Sequence, residues 1–322
     1  MKKRVLFVLS GIILTIFMPI PAFASAASIG DVASNLRVVQ QYNFSIQILA
    51  MLLVGFGFLM VFVKKYGYSA TTGTYLVVGV GIPLYLLLRS TGIISSEAVD
   101  PQTIKALLFA EFAVAAALIS MGAVLGRLRV YQYALISIFL VPLYMLNEWL
   151  VLDGGLGVTK GFVDAAGSIV IHAFGAYFGL GLAIALTKRN QLDKVIESDA
   201  TSDRFAMLGS MILKGKPSIA DIANASLAGG ICVIGYNVIQ PALQKKLKIV
   251  DTCGVHNLHG MPGLLGGIIA VFVVPDAAKA QVIGIVFTVA LALIGGIVAG
   301  NIIKFTGSKV KIYEDSDEFT EA

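Results

Sequence analysis

Three histidines lie in two apolar segments of the chain, and their side chains could do chemistry. His172 lies in DAAGSIVIHAFGAYFGL, whereas His256 and His259 lie three residues apart in VDTCGVHNLHGMPGLLGG. A titratable side chain is costly in hydrocarbon, so each imidazole there needs a partner or a function. Residues three apart share one face of an α-helix, and His256 and His259 are therefore expected to point the same way.

Three roles for these histidines are compatible with the residues alone. In the first, each imidazole is a satisfied core residue that ties helices together. In the second, the histidines and Cys253 supply tetrahedral metal ligands, although no supporting carboxylate cluster is visible in the sequence. In the third, neutral imidazoles line a narrow path and pass a proton or a small polar molecule along it.

The two histidine segments also resemble each other. Asp164 begins an Asp-x-x-Gly sequence before His172, and Asp251 begins another before His256 and His259. A glycine-spaced apolar helix follows in both cases. The first segment is predicted to start outside the membrane and the second inside, which is the pattern of an inverted repeat with a substrate site near the midplane.

The composition indicates the class of protein. Hydrophobic residues make up 57% of the 322 residues and charged residues 13%, against roughly 25% charged in soluble proteins. Apolar runs of roughly 20 residues recur, so the chain is predicted to be an all-α polytopic membrane protein. The net charge of +5 is assigned to cytoplasmic loops, not to nucleic acid binding. Because no catalytic triad, P-loop or dinucleotide motif is present, neither an enzyme nor a cofactor is expected.

A secretory signal peptide is predicted at residues 1–26, because a basic start and an apolar stretch precede small-x-small sites. The transmembrane domain follows at 27–312, and the charged tail, 313–322, is expected to be a mobile cytoplasmic end. The mature N-terminus is predicted to lie outside. About eight spans and one fragment are expected, the spans at 43–64, 69–90, 104–126, 130–152, 164–187, 222–243, 253–274 and 280–303, and the fragment at 204–213.

The charges around the sixth of these spans conflict with the count. Lys214 precedes that span and Lys245 follows it, so both flanks look cytoplasmic. The tail near Lys309 is also basic, but eight crossings from an outside N-terminus would leave it outside. Either residues 222–243 turn back within the membrane, or part of this region is missing.

The histidine segments are similar to the paired signatures of Rhesus (Rh) proteins in the ammonium transporter superfamily. Further similar stretches are VGFGFLMVFVKKYGYS, FAEFAVAAALISMGAVLGRL, NEW at 147–149, and NASLAGG. The resemblance covers most of the chain from about residue 40. It implies an ammonium-transporter-like helical bundle with one pore per subunit, a homotrimer in the cell membrane, and ammonium or ammonia as substrate.

The resemblance also implies roles for individual residues. His172 and His256 match the pore histidine pair, and Phe112 matches a phenylalanine that gates the pore from outside. Asp164 matches an acidic residue that is either structural or aids ammonium recruitment. The secondary candidates are His259, Asp251, Asn257 and Phe174.

The chain departs from the family pattern in one region. The family has about eleven spans, and RFAMLGSMIL (204–213) resembles the start of the sixth. The next residues resemble the loop before the eighth, so two and a half to three spans are expected to be absent, together with a second gating phenylalanine and one wall of the pore.

The predicted function is a channel or transporter that deprotonates ammonium and conducts ammonia through a histidine-lined apolar pore. A non-transporting subunit that modulates intact relatives, a carbon dioxide channel and an intramembrane metal enzyme are the alternatives.

Overall fold

A computed structural model describes residues 29–94, 99–194, 196–213, 229–274, 276–316 and 318–319. The predicted signal peptide lies outside the described residues. Within them all regular structure is helical. The helices are α1 (Ile29–Ala50, continued by Met51–Phe56, Gly57–Leu59 and Met60–Phe62), α2 (Gly67–Thr91), α3 (Ile104–Ala123), α4 (Val130–Val151), α5 (Ser168–Ala173 and Phe174–Leu186), α6 (Ala200–Leu213), α7 (229–247), α8 (His256–Gly260 and Met261–Val273) and α9 (Ala278–Phe305).

Seven helices of the described chain are long and apolar enough to cross a bilayer: α1 to α5, α8 and α9. They coincide with seven of the eight predicted spans, and the polytopic all-α class is confirmed. The remaining predicted span, 222–243, begins with residues that the structure does not describe and continues as α7. The chain divides into two units, Met1–Gln40 and Gln41–Ala322, and the packing described below is that of the second.

The ends of α1, α3, α5, α7 and α9 gather at one end of the bundle, which we call the basic face. The Lys64 N–H donates to the carbonyl of Glu197 at 2.7 Å, and the Tyr313 N–H donates to the carbonyl of Gly126 at 2.8 Å. Lys and Arg follow each of these helix ends. The grouping is the one expected for cytoplasmic ends under the positive-inside rule.

α6 and α7 lie in the region where the charges conflict with the predicted number of spans. α6 packs along α1, where the rings of Phe205 and Phe58 lie 5.5 Å apart. α7 ends at the basic face, because Gln244 Nε2 donates to the carbonyl of Leu192 at 2.7 Å. Lys245, at the end of α7, therefore lies on the same side of the bundle as Tyr313 of the tail. α6 contains the fragment predicted at 204–213, and the residues between α6 and α7 lie outside the described residues.

α3 lies at the centre of the bundle, and all of its residues from 113 to 123 are buried. Small side chains let the neighbouring backbones approach closely, as expected where no water drives helix association. Ser120 Oγ donates to the carbonyl of Gly175 in α5 at 2.7 Å. On the other side of α5, a Cβ atom added to Gly296 of α9 would overlap the carbonyl oxygen of Phe178.

The C-terminal tail is docked, and the expectation of a mobile end is wrong for its described residues. Tyr313 is 7% exposed, and a Cβ at Gly126 would collide with its ring. The Asp315 carboxylate accepts the N–H groups of Tyr68 and Ser69, both at 3.0 Å. These are free donors of the first turn of α2, so Asp315 caps that helix from the far end of the chain.

Replacing Gly296 with Ala is expected to destabilise the protein by about 1–3 kcal/mol, because overpacking forces α5 and α9 apart. Gly79 of α2 is the matched control, since a Cβ there meets nothing within 4 Å. Gly79→Ala should leave stability unchanged or raise it, because alanine favours the helix. Thermal unfolding in detergent measures both variants, and equal melting temperatures would contradict the close contact.

Candidate functional site

The first histidine helix begins at a carboxylate. Asp164 Oδ1 accepts hydrogen bonds from Ser168 Oγ and the Ile169 N–H, and Oδ2 accepts the Val170 N–H, all at 2.9 Å. Gly167 has a φ of 67°, a left-handed conformation that glycine adopts without strain. Asp164 therefore fixes the first turn of α5 by satisfying donors that the helix itself cannot pair.

The second histidine helix begins in the same way. Asp251 accepts the N–H groups of Val255 and His256, both at 3.0 Å, and Gly254 has a φ of 69°. Burial raises the pKa of Asp251, whereas these two donors and the nearby Arg127 oppose that rise. The two Asp-x-x-Gly sequences thus build equivalent turns at α5 and α8, as the predicted inverted repeat requires.

His172 and His259 meet between the two helices. Their rings stack with centroids 5.3 Å apart and an angle of 6° between planes. The two Nδ1 atoms lie 3.2 Å apart, so one ring donates and the other accepts. Each of these histidines lies eight residues after the aspartate of its own segment. That equal spacing, visible in the sequence, is the signal that identifies the pair.

The predicted pairing of His172 with His256 is wrong. The His256 ring packs edge-on against Tyr177, with centroids 5.7 Å apart and an angle of 69°. The expectation that His256 and His259 share a face assumed an α-helix, but residues His256–Gly260 form a π-helical turn. Since a π-helix bonds i to i+5, each residue rotates less about the axis, and residues three apart point further away from each other.

The hydrogen bond between the stacked rings requires the two imidazoles to be different tautomers. A neutral imidazole that donates through Nδ1 keeps Nε2 as an acceptor, and one that accepts at Nδ1 carries its proton on Nε2. One ring of the His172–His259 pair therefore presents an acceptor and the other a donor. A small molecule with both a lone pair and N–H or O–H groups can bond to either ring.

A cavity of about 220 Å³ extends from His259 toward the basic face. Cys253 lies at its wall, and burial raises the pKa of that thiol, which keeps it neutral. The other lining residues are mostly apolar and include Phe56, Met60, Phe62, Ile119, Val255 and Leu258. This cavity, with mostly apolar walls, thus lies between His259 and the end of the bundle where α1 and α3 terminate.

The profile of the Ammonium Transporter Family matches residues 5–214 and 222–320. The chain belongs to the ammonium transporter family. Ammonium transporter Rh type C of Rattus norvegicus is 30% identical over 355 residues, covering 79% of this chain and 70% of the rat protein. Ammonium transporter Rh type B of Xenopus tropicalis is 29% identical, covering 83% of this chain and 79% of the frog protein.

Solved structures of this family have the same fold. A structure of Nitrosomonas europaea Rh50, described with the mechanism of conduction by the Rhesus protein family of channels, is 53% identical. It has a TM-score of 0.83 and covers 89% of this chain and 93% of that one. A sensor Amt protein, 13% identical, has a TM-score of 0.68 over 88% of this chain and 97% of that one. The resemblance to Rh proteins is confirmed.

The remaining candidate residues lie around the pair. Phe112 lies in α3 with its ring edge-on to Phe44 and Phe109, at 6.2 and 6.3 Å between centroids. Phe174 is fully buried and packs edge-on against Tyr144 at 5.7 Å, as a core residue does. The Asn257 amide donates to Gln240 Oε1 at 2.7 Å, which joins α8 to α7.

The sequence reasoning overlooked Glu111, which precedes Phe112 in an alanine-rich span. Its side chain is fully buried, and Oε1 accepts Ser45 Oγ at 2.5 Å. Oε2 has no hydrogen-bond partner among the described residues. A carboxylate in an apolar helix was the available signal, because such residues need a partner or a function. Within the same described residues, no group of three or more His, Cys, Asp or Glu side chains could hold a metal ion.

Replacing Asp251 with Ala is expected to lower stability by about 1–3 kcal/mol, because two buried N–H groups lose their acceptor. Asp251→Asn should cost less, since its amide oxygen still accepts one bond. The exposed Asp193, near the same face, supplies the control Asp193→Ala. Thermal unfolding in detergent compares the three variants, and a loss in Asp193→Ala as large as in Asp251→Ala would rule out the anchoring role.

Proposed function

We propose that this chain is an ammonium and ammonia channel in which ammonium releases its proton and ammonia passes the histidine pair. Family membership supports the substrate, because the Rh relatives described above are named ammonium transporters. The single observation that carries the mechanism is the stacked pair of His172 and His259 at the end of an apolar cavity. Members of this family are transporters, and the chain is not an enzyme.

The apolar cavity supports selection by charge. A cation that enters such a bore loses water that no lining group replaces, at a cost of several kcal/mol or more. Ammonia is neutral and keeps one lone pair and three N–H groups. The acceptor and the donor presented by the histidine pair match those groups. Sodium and potassium have no proton to lose, so the same bore excludes them.

Phe112 is proposed to close the entrance opposite the basic face. Its half-buried ring in α3 contacts Phe44 and Phe109 and so belongs to an aromatic cluster. Edge-on contacts between aromatic rings are only weakly favourable. The Phe112 ring can therefore move out of this cluster and return to it. Asp164 is proposed to act as the structural anchor of α5, because both carboxylate oxygens accept bonds from that helix.

The assembly and its location are part of the same proposal. The family resemblance supports a homotrimer in the cell membrane, with residues 1–26 removed as a signal peptide. Native mass spectrometry of the purified protein would give the number of subunits. N-terminal sequencing of the same sample would give the first residue of the mature chain.

The region between α6 and α7 is proposed to be shorter than in Rh relatives. The alignment with the rat protein extends over 355 residues, whereas the whole chain has 322. The relative therefore contains residues that have no counterpart here, which supports the loss of spans that the family resemblance implies.

Replacing His172 or His259 with Ala is expected to reduce ammonia flux at least about tenfold, because the remaining imidazole loses its buried partner. His256→Ala is the control, since His256 lies against Tyr177 and not in the pair. Stopped-flow pH measurement on proteoliposomes after an ammonium pulse reports the rate. Equal loss in all three variants, or no loss at His259, would overturn the proposed pore. Current recorded in the same membranes separates ammonium transport from ammonia transport.

A further inference from the structure

A second cavity, of about 310 Å³, opens at the basic face where α3, α5 and α9 end, and we call it the basic pocket. Four cationic side chains line it: Arg127, Lys188, Lys304 and Lys309. No carboxylate is among its lining residues in the described part of the chain. The basic pocket is separate from the cavity below His259, whose walls are apolar.

The basic pocket has both a buried cation and exposed ones. Arg127 is 4% exposed, and its Nε has no hydrogen-bond partner among the described residues. Lys188 and Lys304 are exposed at the rim. The Lys309 ammonium is already engaged, 5.2 Å from the centre of the Tyr66 ring and in an ion pair with the tail. Lysines near helix C-termini often have no role beyond offsetting the helix dipole. That role explains neither the cavity nor the Arg127 Nε that lacks a hydrogen-bond partner among the described residues.

An apolar stripe begins at the same pocket. Phe305 lines it and is 89% exposed. Ile302, Val298 and Ile294 are also exposed on α9, and their spacing of three or four residues places them in one row along the helix. A ligand that fits both features carries an anionic group at one end and a hydrocarbon chain at the other.

We propose that the basic pocket binds the phosphate of an anionic phospholipid whose acyl chain lies along the α9 stripe. Basic pockets between membrane helices on the cytoplasmic side suit such headgroups, and each lysine near an anionic surface contributes to the attraction. Inorganic phosphate shares the headgroup chemistry, but it would not use the stripe.

Arg127 connects the basic pocket to the histidine pair. Its Nη2 donates to the carbonyls of Ala123 and Val250, at 2.7 and 2.6 Å, and Nη1 donates to Thr187 Oγ1 at 3.1 Å. Val250 immediately precedes Asp251, the anchor of α8. A headgroup held by Arg127 would therefore brace the turn that carries His259. This consequence for transport rests on the proposed function, whereas lipid binding does not.

Native mass spectrometry of the full chain with phosphatidylglycerol and phosphatidylcholine tests the site. The double variant K188Q/K304Q removes two exposed cations from the rim, and K245Q/K246Q removes two exposed cations from the end of α7. Phosphatidylglycerol should bind the natural chain and K245Q/K246Q equally and the rim variant roughly tenfold or more weakly. Equal binding to both double variants, or equal binding of phosphatidylcholine, would overturn the proposal.

Two further measurements are needed. One distinguishes a phospholipid headgroup from inorganic phosphate, and the other tests the effect of binding on the first turn of α8. Phosphatidylglycerol should raise the melting temperature of the natural chain, and inorganic phosphate at the same concentration should not. Equal shifts would identify a free phosphate site instead. Hydrogen exchange at residues 252–256 should slow with phosphatidylglycerol in the natural chain and not in K188Q/K304Q. Unchanged hydrogen exchange at these residues would contradict the proposed effect of the lipid on α8, even if ammonia flux were normal.

Discussion

The bonds from two aspartates to the first turns of their helices determine where the histidine pair lies. Asp164 and Asp251 each accept backbone N–H groups that no earlier residue of the helix could pair. The Asp251 carboxylate is buried, and a buried carboxylate is costly without such donors, whereas unpaired backbone donors are costly in hydrocarbon at both turns. The carboxylate and the backbone N–H groups therefore satisfy each other, and their hydrogen bonds fix the conformation of both turns. Because each histidine of the pair lies eight residues further on, the two anchors also fix the distance between the rings.

The rest of the bundle keeps these two helices in register. α5 packs between α3 and α9 through contacts at Gly175 and Gly296 where backbones nearly touch, so it has little freedom to shift. At the other helix, the Arg127 guanidinium binds carbonyls from two segments and a hydroxyl from a third. A planar group with several fixed donors suits such a junction. The walls of the cavity beside His259 can therefore remain mostly apolar, because the polar bonds that hold the two helices are made by other residues.

Much of this was accessible from the sequence, and the failures have physical causes. Hydropathy located six of the seven spans within a few residues, since hydrocarbon imposes length and composition on a helix, but it placed the start of the first span more than ten residues too late. The Asp-x-x-Gly repeat was recognised, but the wrong histidine was paired because a π-helical turn cannot be read from spacing rules for α-helices. The docking of the charged tail was not predicted, because a charged composition indicates exposure to water and does not reveal which backbone donors a particular carboxylate binds. Asp315 finds its donors on α2, which no local pattern reveals.

That last contact sets an order of events during synthesis. Asp315 and the N–H group it accepts at Tyr68 are 247 residues apart in the chain. Membrane helices enter the bilayer as they are made, so the start of α2 lacks this cap until Asp315 has left the ribosome. Completion of the basic face is thus a late step of folding, because it needs a residue that is synthesised long after α2.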